Sequence, residues 1–111
     1  MANEAMELSI ELSKPGKQAD ASLFRDIPIR IRNASSIGFR SADVSVKDEG
    51  SGEIASVTFG RIEPNRTEVR NASLPGGVEQ AAYNIYPDEG EKIFGLGFAD
   101  NATEVNITIR D

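Results

Sequence analysis

Asp26-Ile27-Pro28-Ile29-Arg30-Ile31-Arg32-Asn33 is the stretch that decides the fold of this chain. Its isoleucines alternate with proline and arginine, so an extended backbone places the apolar side chains on one face and the polar side chains on the other. A period of two over eight residues predicts a half-buried β-strand.

The same alternation continues to residue 74. After a Ser-Ser-Ile-Gly break, residues 41–47 predict a strand with Ala42, Val44 and Val46 facing inward. Residues 54–59 predict a third strand, whose apolar positions are Ile54, Val57 and Phe59. The turn at 60–65 then leads into a strand at 67–74.

Alternating segments also flank this stretch on both sides. Residues 6–12, 81–87, 93–98 and 103–110 each predict a strand, and the Lys-Pro-Gly-Lys sequence at 14–17 predicts a turn. In the 93–98 segment, Phe94, Leu96 and Phe98 alternate with two glycines. These three residues and Tyr83 are predicted to be core side chains, with the glycines on the outward face.

Seven or eight short strands with turns roughly every 8–12 residues predict an all-β, antiparallel Ig-like β-sandwich. At 111 residues the chain is expected to form one domain over 1–111, with residues 1–5 disordered. The Cys…Trp…Cys signature of antibody domains is absent, because the chain has neither cysteine nor tryptophan.

The composition argues against whole classes of function. The formal net charge is −6 and the basic residues are scattered, which argues against a nucleic-acid partner. Without cysteine or histidine the chain cannot build a thiolate or imidazole metal site or a Ser-His or Cys-His nucleophile. Paired carboxylates could in principle do acid-base chemistry, but they fall in predicted turns or on polar strand faces. We therefore expect no enzymatic activity and no cofactor.

Membrane insertion is not expected, since no window approaches the roughly 18 apolar residues of a spanning segment. Residues 1–30 lack the apolar run of roughly 7–15 residues of a secretory signal. The chain is expected to be soluble as given. It is either a small cytosolic protein or a module of a longer exported one.

Five Asn-x-Ser/Thr tripeptides, none with proline in the middle, are more than chance predicts. They make Asn33, Asn65, Asn71, Asn101 and Asn106 candidate glycosylation sites. The alternative is compositional, because asparagine, serine and threonine concentrate in turns and on outward strand positions.

Charged side chains suggest two further contacts. Asp48, Glu49 and Glu53 surround glycines and are weak candidates for calcium, which takes six to eight oxygen ligands. A solvated hairpin turn is the favoured interpretation, because the spacing is not that of an EF-hand. Arg30 and Arg32 can pair with carboxylates on a neighbouring strand or simply face solvent.

The middle of the chain resembles the CARDB-type Ig-like domains of bacterial and archaeal surface proteins. The resemblance is carried by Ile31-Arg32-Asn33-Ala34-Ser35, the alternation from Ala42 to Val46, and Phe59-Gly60-Arg61-Ile62-Glu63-Pro64-Asn65-Arg66-Thr67. The last of these is similar to the family's "isoleucine-glycine-x-leucine-x-proline-glycine" corner. Asn65 stands where the family has glycine, and asparagine tolerates a positive φ. The first turn departs from the family by having Ala34-Ser35 near a preferred glycine.

The resemblance implies a non-catalytic module of a larger prokaryotic, possibly archaeal, cell-surface or exported protein. Such a module acts as an adhesion or spacer unit, or binds a protein or carbohydrate, beside neighbouring domains of the same chain. One alternative is a small cytosolic β-sandwich that lends a sheet edge to a partner protein. Another is an Ig-like protease inhibitor using the loops at 33–39, 75–77 and 100–103.

Overall fold

Two four-stranded β-sheets pack face to face in the computed structural model, which describes residues 24–111 and the backbone of Met6–Glu11. The strands are β1 (Met6–Glu11), β2 (Arg25–Ala34), β3 (Phe39–Asp48), β4 (Ile54–Phe59), β5 (Thr67–Leu74), β6 (Val78–Pro87), β7 (Ile93–Ala102) and β8 (Glu104–Arg110). Within the described ranges there is no helix. The predictions for residues 1–5 and for the turn at 14–17 lie outside the described residues.

The strand order is β1-β8-β2-β5 in the first sheet and β4-β3-β6-β7 in the second. The pairing of β2 with β5 and the run β3-β6-β7 match strands B–E and C–F–G of the immunoglobulin arrangement. The prediction of an all-β Ig-like sandwich is therefore confirmed. One feature was not predicted: β8 lies between β1 and β2 and runs parallel to β2, whereas the other pairings are antiparallel.

The core lies between the sheets and is built from the alternating apolar positions. Ile29 and Ile31 of β2 stand opposite Val105 and Ile107 of β8 in the first sheet. Because each isoleucine removed from water contributes about 2 kcal/mol, the period-two pattern is the main determinant of which face turns inward. The fully buried large side chains are Phe39, Phe59, Ile27, Ile29, Ile31, Ile62, Leu74, Ile85, Ile107, Ile109, Val44 and Val46.

Asn33 connects the end of β2 to the corner at 62–66. Its side chain is fully buried, and its Nδ2 donates to the carbonyl oxygens of Ile37 (2.8 Å) and Ile62 (3.1 Å). Its Oδ1 accepts from the Ser35 backbone N–H (3.0 Å) and hydroxyl (2.7 Å), so every hydrogen-bonding position of the amide is used. In the same corner Asn65 has a φ of 67°, which confirms the prediction that asparagine takes the left-handed conformation there.

The orientation predicted for β7 is wrong. Phe94, Leu96 and Phe98 point to solvent, and Gly95 and Gly97 lie on the inward face. Tyr83, by contrast, is 5 % exposed, so its assignment to the core is confirmed.

Candidate interaction face on strand β7

Three large apolar side chains stand in a row on the outer surface of the second sheet. Phe94 is 70 % exposed, Leu96 52 % and Phe98 69 %, and their positions at alternate residues place them on one face of β7. We call these three residues the β7 row. Scattered exposed apolar residues are ordinary, whereas a contiguous row of two phenylalanines and a leucine is typical of an interaction surface.

The β7 row faces outward because Tyr83 occupies the space beneath β7. Tyr83 of β6 stands opposite Gly95, and a Cβ atom at residue 95 would overlap the tyrosine hydroxyl and ring. Burial raises the pKa of the Tyr83 phenol, as expected for a ring taken out of water. The tyrosine thus requires a glycine on the inward face of β7, and the alternation of the strand then turns the apolar residues outward.

The neighbours of the β7 row on β6 carry no charge. Asn84 stands beside Phe94, Ala82 beside Leu96 and Gln80 beside Phe98. Small and neutral side chains of this kind can be desolvated at lower cost than charged ones, and the centres of protein interfaces are depleted in charge for that reason.

Opposite charges stand at the two ends of the β7 row. Lys92 lies just before the strand, with its ammonium 5.5 Å from the centroid of the Phe94 ring. Asp100 lies two residues beyond Phe98, and both charged residues are exposed. Neither forms an ion pair with another described residue.

β7 is also an edge strand of the second sheet. Its backbone groups on the side away from β6 have no partner strand among those the structure describes. Exposed edges are usually protected by a short strand, a proline, a bulge or an inward-pointing charge. Between Ile93 and Phe98 the strand has none of these, and its irregularity lies between Phe98 and Ala102, where the register with β6 shifts and Asn101 has a φ of 59°.

Two other edges are better protected. β4 has only six residues. In β5, Glu68 and Arg70 lie on the same face of the strand as the buried residues Ala72 and Leu74. The Arg70 guanidinium lies over the Phe59 ring, 5.2 Å from its centroid. Inward-pointing charges of this kind oppose the addition of another strand. The β7 edge is therefore the long, apolar and unprotected one among the edges whose side chains are described.

The five sequons occupy unequal positions. Asn65, Asn71 and Asn101 are exposed, and Asn106 is half-buried and accepts a hydrogen bond from the Arg30 guanidinium at 3.1 Å. In the folded domain the Nδ2 atom of Asn33 is buried and donates both of its hydrogens to carbonyl oxygens, so its amide is not accessible there. Arg30 also pairs with Glu104 at 2.5 Å, so of the two alternatives for this arginine, a neighbouring carboxylate and solvent, the structure shows the carboxylate.

Asp48, the first of the calcium candidates, is a turn residue. It is 2 % exposed, and its carboxylate accepts hydrogen bonds from the backbone N–H groups of Gly50, Ser51 and Gly76 and from the Ser51 hydroxyl. Burial acts to raise its pKa, but these hydrogen bonds outweigh burial and lower the pKa below its usual 3.8.

Metal binding at this turn is not supported by the geometry. The lone pairs that calcium would need accept N–H and O–H donors, and Glu49 Oε1 accepts from the backbone N–H of Asn101 at 3.0 Å. In the described part of the chain no three metal-ligating side chains converge. The favoured interpretation of a hairpin turn therefore accounts for Asp48 and Glu49, and Glu53 is exposed.

A partly apolar cleft of about 280 Å³ lies at the opposite end of the sandwich from the Asp48 turn. Ile37, Phe39 and Ile109 line it, together with the exposed residues Glu89 and Glu91. At the same end Arg61 donates to Asp88 at 2.6 and 2.9 Å, and this contact lowers the pKa of the Asp88 carboxyl. Arg61 also pairs with Glu63 at 2.8 Å, so these charges fasten two loops together.

The loops considered for protease inhibition do not share an end of the sandwich. In the antiparallel pairing of β2 with β5, Arg25 stands opposite Leu74 and Arg32 opposite Thr67. The loop at 75–77 thus lies at the end where β2 begins, whereas the loop at 33–39 lies where β2 finishes. Only the loops at 75–77 and 100–103 meet, through Gly77 and Asn101.

Comparisons with known proteins bear on the fold. No family model matches the chain, and no curated protein matches it. A protein from Eubacterium rectale, solved by NMR, is similar in structure with a TM-score of 0.63 and 14 % sequence identity, over 85 % of this chain and 84 % of that one. At that identity the likeness concerns the sandwich alone. Among the described residues, no helix has the length and apolar character needed to cross a membrane.

The interaction face was missed in the sequence because alternation does not say which face is inside. A signal was present nonetheless: two glycines at alternate positions leave space on their own face for a large residue of the next strand. Tyr83, ten residues upstream of Ile93, is such a residue. If Tyr83 is paired with Gly95, the alternation of β7 predicts that its phenylalanines face outward.

Proposed function

We propose that this domain is a non-catalytic, Ig-like interaction module of a longer prokaryotic cell-surface or exported protein. It acts as an adhesion unit, and its binding face is the β7 row with the adjoining β7 edge. The observation that carries the proposal is the exposure of Phe94, Leu96 and Phe98 on an unprotected edge strand. A soluble domain keeps such a row exposed at the risk of aggregation, which is offset when the row has a partner.

Two further features support a surface location. Asn65, Asn71 and Asn101 are exposed within glycan-acceptor tripeptides. The resemblance of the 59–67 corner to CARDB-type domains points the same way. The extents of 46 × 20 × 20 Å suit a spacer in a chain of consecutive domains, with neighbouring domains as its first partners.

The test is to locate the native protein with an antibody raised against this domain. We expect labelling of intact cells of the source organism, and loss of that labelling after brief protease treatment of the cell surface. Labelling that requires permeabilised cells would overturn the surface assignment. It would favour the second candidate, a cytosolic module that lends its β7 edge to a partner strand, which rests on the same unprotected edge.

A further inference from the structure

We infer that the partner of the β7 row is a second copy of this chain, paired antiparallel through β7 about a two-fold axis at Leu96. The inference rests on the proposed function, since it names the occupant of the same face. The second sheet of one copy would join the second sheet of the other in one continuous sheet of eight strands, with the two β7 strands at the centre. A two-fold axis uses the same surface on both copies, which is the commonest symmetry of homo-oligomers.

The sequence of β7 is self-complementary in this arrangement. A two-fold axis at Leu96 places Phe94 opposite Phe98 of the other copy, and Leu96 opposite its own equivalent. The outward residues from 92 to 100 are Lys, Phe, Leu, Phe and Asp. Lys92, the residue before β7, then lies opposite Asp100, in the irregular stretch after Phe98, at both ends of the interface.

Neighbouring registers lose this match. A shift of one residue would place outward side chains opposite inward ones, which a continuous sheet cannot accommodate. If the register shifts by two residues, Lys92 stands opposite Phe98 in one direction and Asp100 stands opposite Phe94 in the other. Parallel pairing in register would set like charges against each other at both ends, which is unfavourable.

The inward face of β7 also accepts this pairing. Gly95 stands opposite Gly97 of the other copy, and Ile93 opposite Ala99. No like charges meet on this face, because the next pair outward is Glu91 with Asn101. The exposed apolar side chains would pack against their equivalents from the other copy, and each aromatic pair contributes about 0.5–1.5 kcal/mol beyond the area it buries.

The pairing is tested by sedimentation equilibrium on the 111-residue chain, from roughly 10 μM to 1 mM at about 0.15 M salt, where exposed charges are screened beyond about 8 Å. An interface of a single strand pair is small, so we expect a monomer–dimer equilibrium with a dissociation constant of roughly 10 μM to 1 mM. A chain that remains monomeric up to 1 mM overturns the inference. So does slow hydrogen exchange along the β7 edge in a monomer, because another segment of the chain would then cover that edge.

The substitution Leu96→Lys places two ammonium groups face to face on the axis. We expect the dissociation constant to rise at least about tenfold, which corresponds to 1.4 kcal/mol. Ile54→Lys is the matched control, since Ile54 is 67 % exposed on β4, at the opposite edge of the same sheet. Equal effects of the two substitutions would overturn the inference. Far-UV circular dichroism and thermal unfolding establish that both variants are folded.

A charge exchange tests the register itself. Lys92→Glu alone and Asp100→Lys alone each place like charges opposite one another, so each variant is expected to associate about three- to tenfold more weakly with itself. A mixture of the two variants restores both opposite-charge pairs and is expected to associate as well as the original chain. A mixture that associates no better than the separate variants refutes the antiparallel register.

These results are independent of the location test. A monomeric chain that still labels intact cells leaves the surface module in place and removes only the second copy as its partner. A dimeric chain that is found inside cells leaves the second copy as the partner and removes the surface location.

Discussion

At the scale of single residues, two buried polar side chains fasten the ends of the sandwich. Asn33 does so where β2 finishes, and Asp48 does so where β3 finishes. Each satisfies backbone groups that strand pairing leaves without a partner, which is the role that asparagine and aspartate commonly have in turns. The sequence patterns of both residues also suit ligand sites, a glycan acceptor and a calcium ligand, because the same polar atoms serve either purpose.

Asp48 yields a prediction about stability and pH. Asp48→Asn keeps the shape of the side chain but removes the charge that accepts the N–H groups of Gly50, Ser51 and Gly76. Because hydrogen bonds to a charged group contribute about 1.5–3 kcal/mol and a buried group left without a partner costs about 1–3 kcal/mol, we expect a loss of about 2 kcal/mol at pH 7. Urea unfolding measures it, and Glu53→Gln in the same turn should change the free energy of unfolding little.

The sign of the pH dependence follows from the lowered pKa of Asp48. The folded state holds this carboxylate charged more strongly than the unfolded state, so its contribution is complete above the usual value of 3.8. As the pH falls from there through the folded-state pKa, the contribution is lost. The difference between the original chain and Asp48→Asn should therefore shrink below pH 3.8, and a difference that stays constant on acidification would contradict this account.

At the scale of the element, β7 is controlled by the fit between Gly95 and Tyr83. A methyl group at residue 95 would overlap the tyrosine hydroxyl and ring, so Gly95→Ala forces either the ring or the strand to move. Overpacking of this kind costs about 1–3 kcal/mol. Gly60→Ala is the control, because a Cβ there meets no atom within 4 Å.

Combined substitutions distinguish overlap with the Tyr83 ring from a need for glycine in the backbone of β7. In a Tyr83→Val background the ring is absent, so Gly95→Ala should cost much less than in the original chain. Urea unfolding of the four proteins gives the coupling. An equal cost in both backgrounds would mean that the glycine is needed for the backbone of β7 and not for the tyrosine.

At the scale of the whole molecule, β8 joins parts of the chain that are distant in sequence. It pairs with β1 on one side and β2 on the other, and it contributes Val105, Ile107 and Ile109 to the core. A strand at the centre of a sheet cannot be removed without exposing backbone on both of its neighbours.

Truncation tests this role. A chain ending at Thr103 loses three buried side chains and both strand pairings, a loss comparable with the whole stability of a small domain at about 5–15 kcal/mol. We expect it to be unfolded, with collapsed amide dispersion in its NMR spectrum. Removal of Asp111 alone, which accepts hydrogen bonds from Ser36, is the control and should leave a folded protein. A folded chain ending at Thr103 would contradict the central role of β8.

The strands and most of the core were determined by the sequence alone. Alternation of isoleucine and valine with polar residues is local information, and burial of the apolar face is its direct physical consequence, as in β2 and β8. The left-handed conformation of Asn65 is one that the residue type permits, in a turn that the sequence predicts.

Only the tertiary structure decided three other features. The parallel placement of β8 beside β2 depends on long-range pairing, which no local pattern encodes. The roles of Asn33 and Asp48 depend on which donors and acceptors the folded chain brings to them. The outward direction of Phe94, Leu96 and Phe98 depends on Tyr83 filling the space beneath β7. In that strand both faces were available to apolar residues, and the volume left by neighbouring side chains determined which one is exposed.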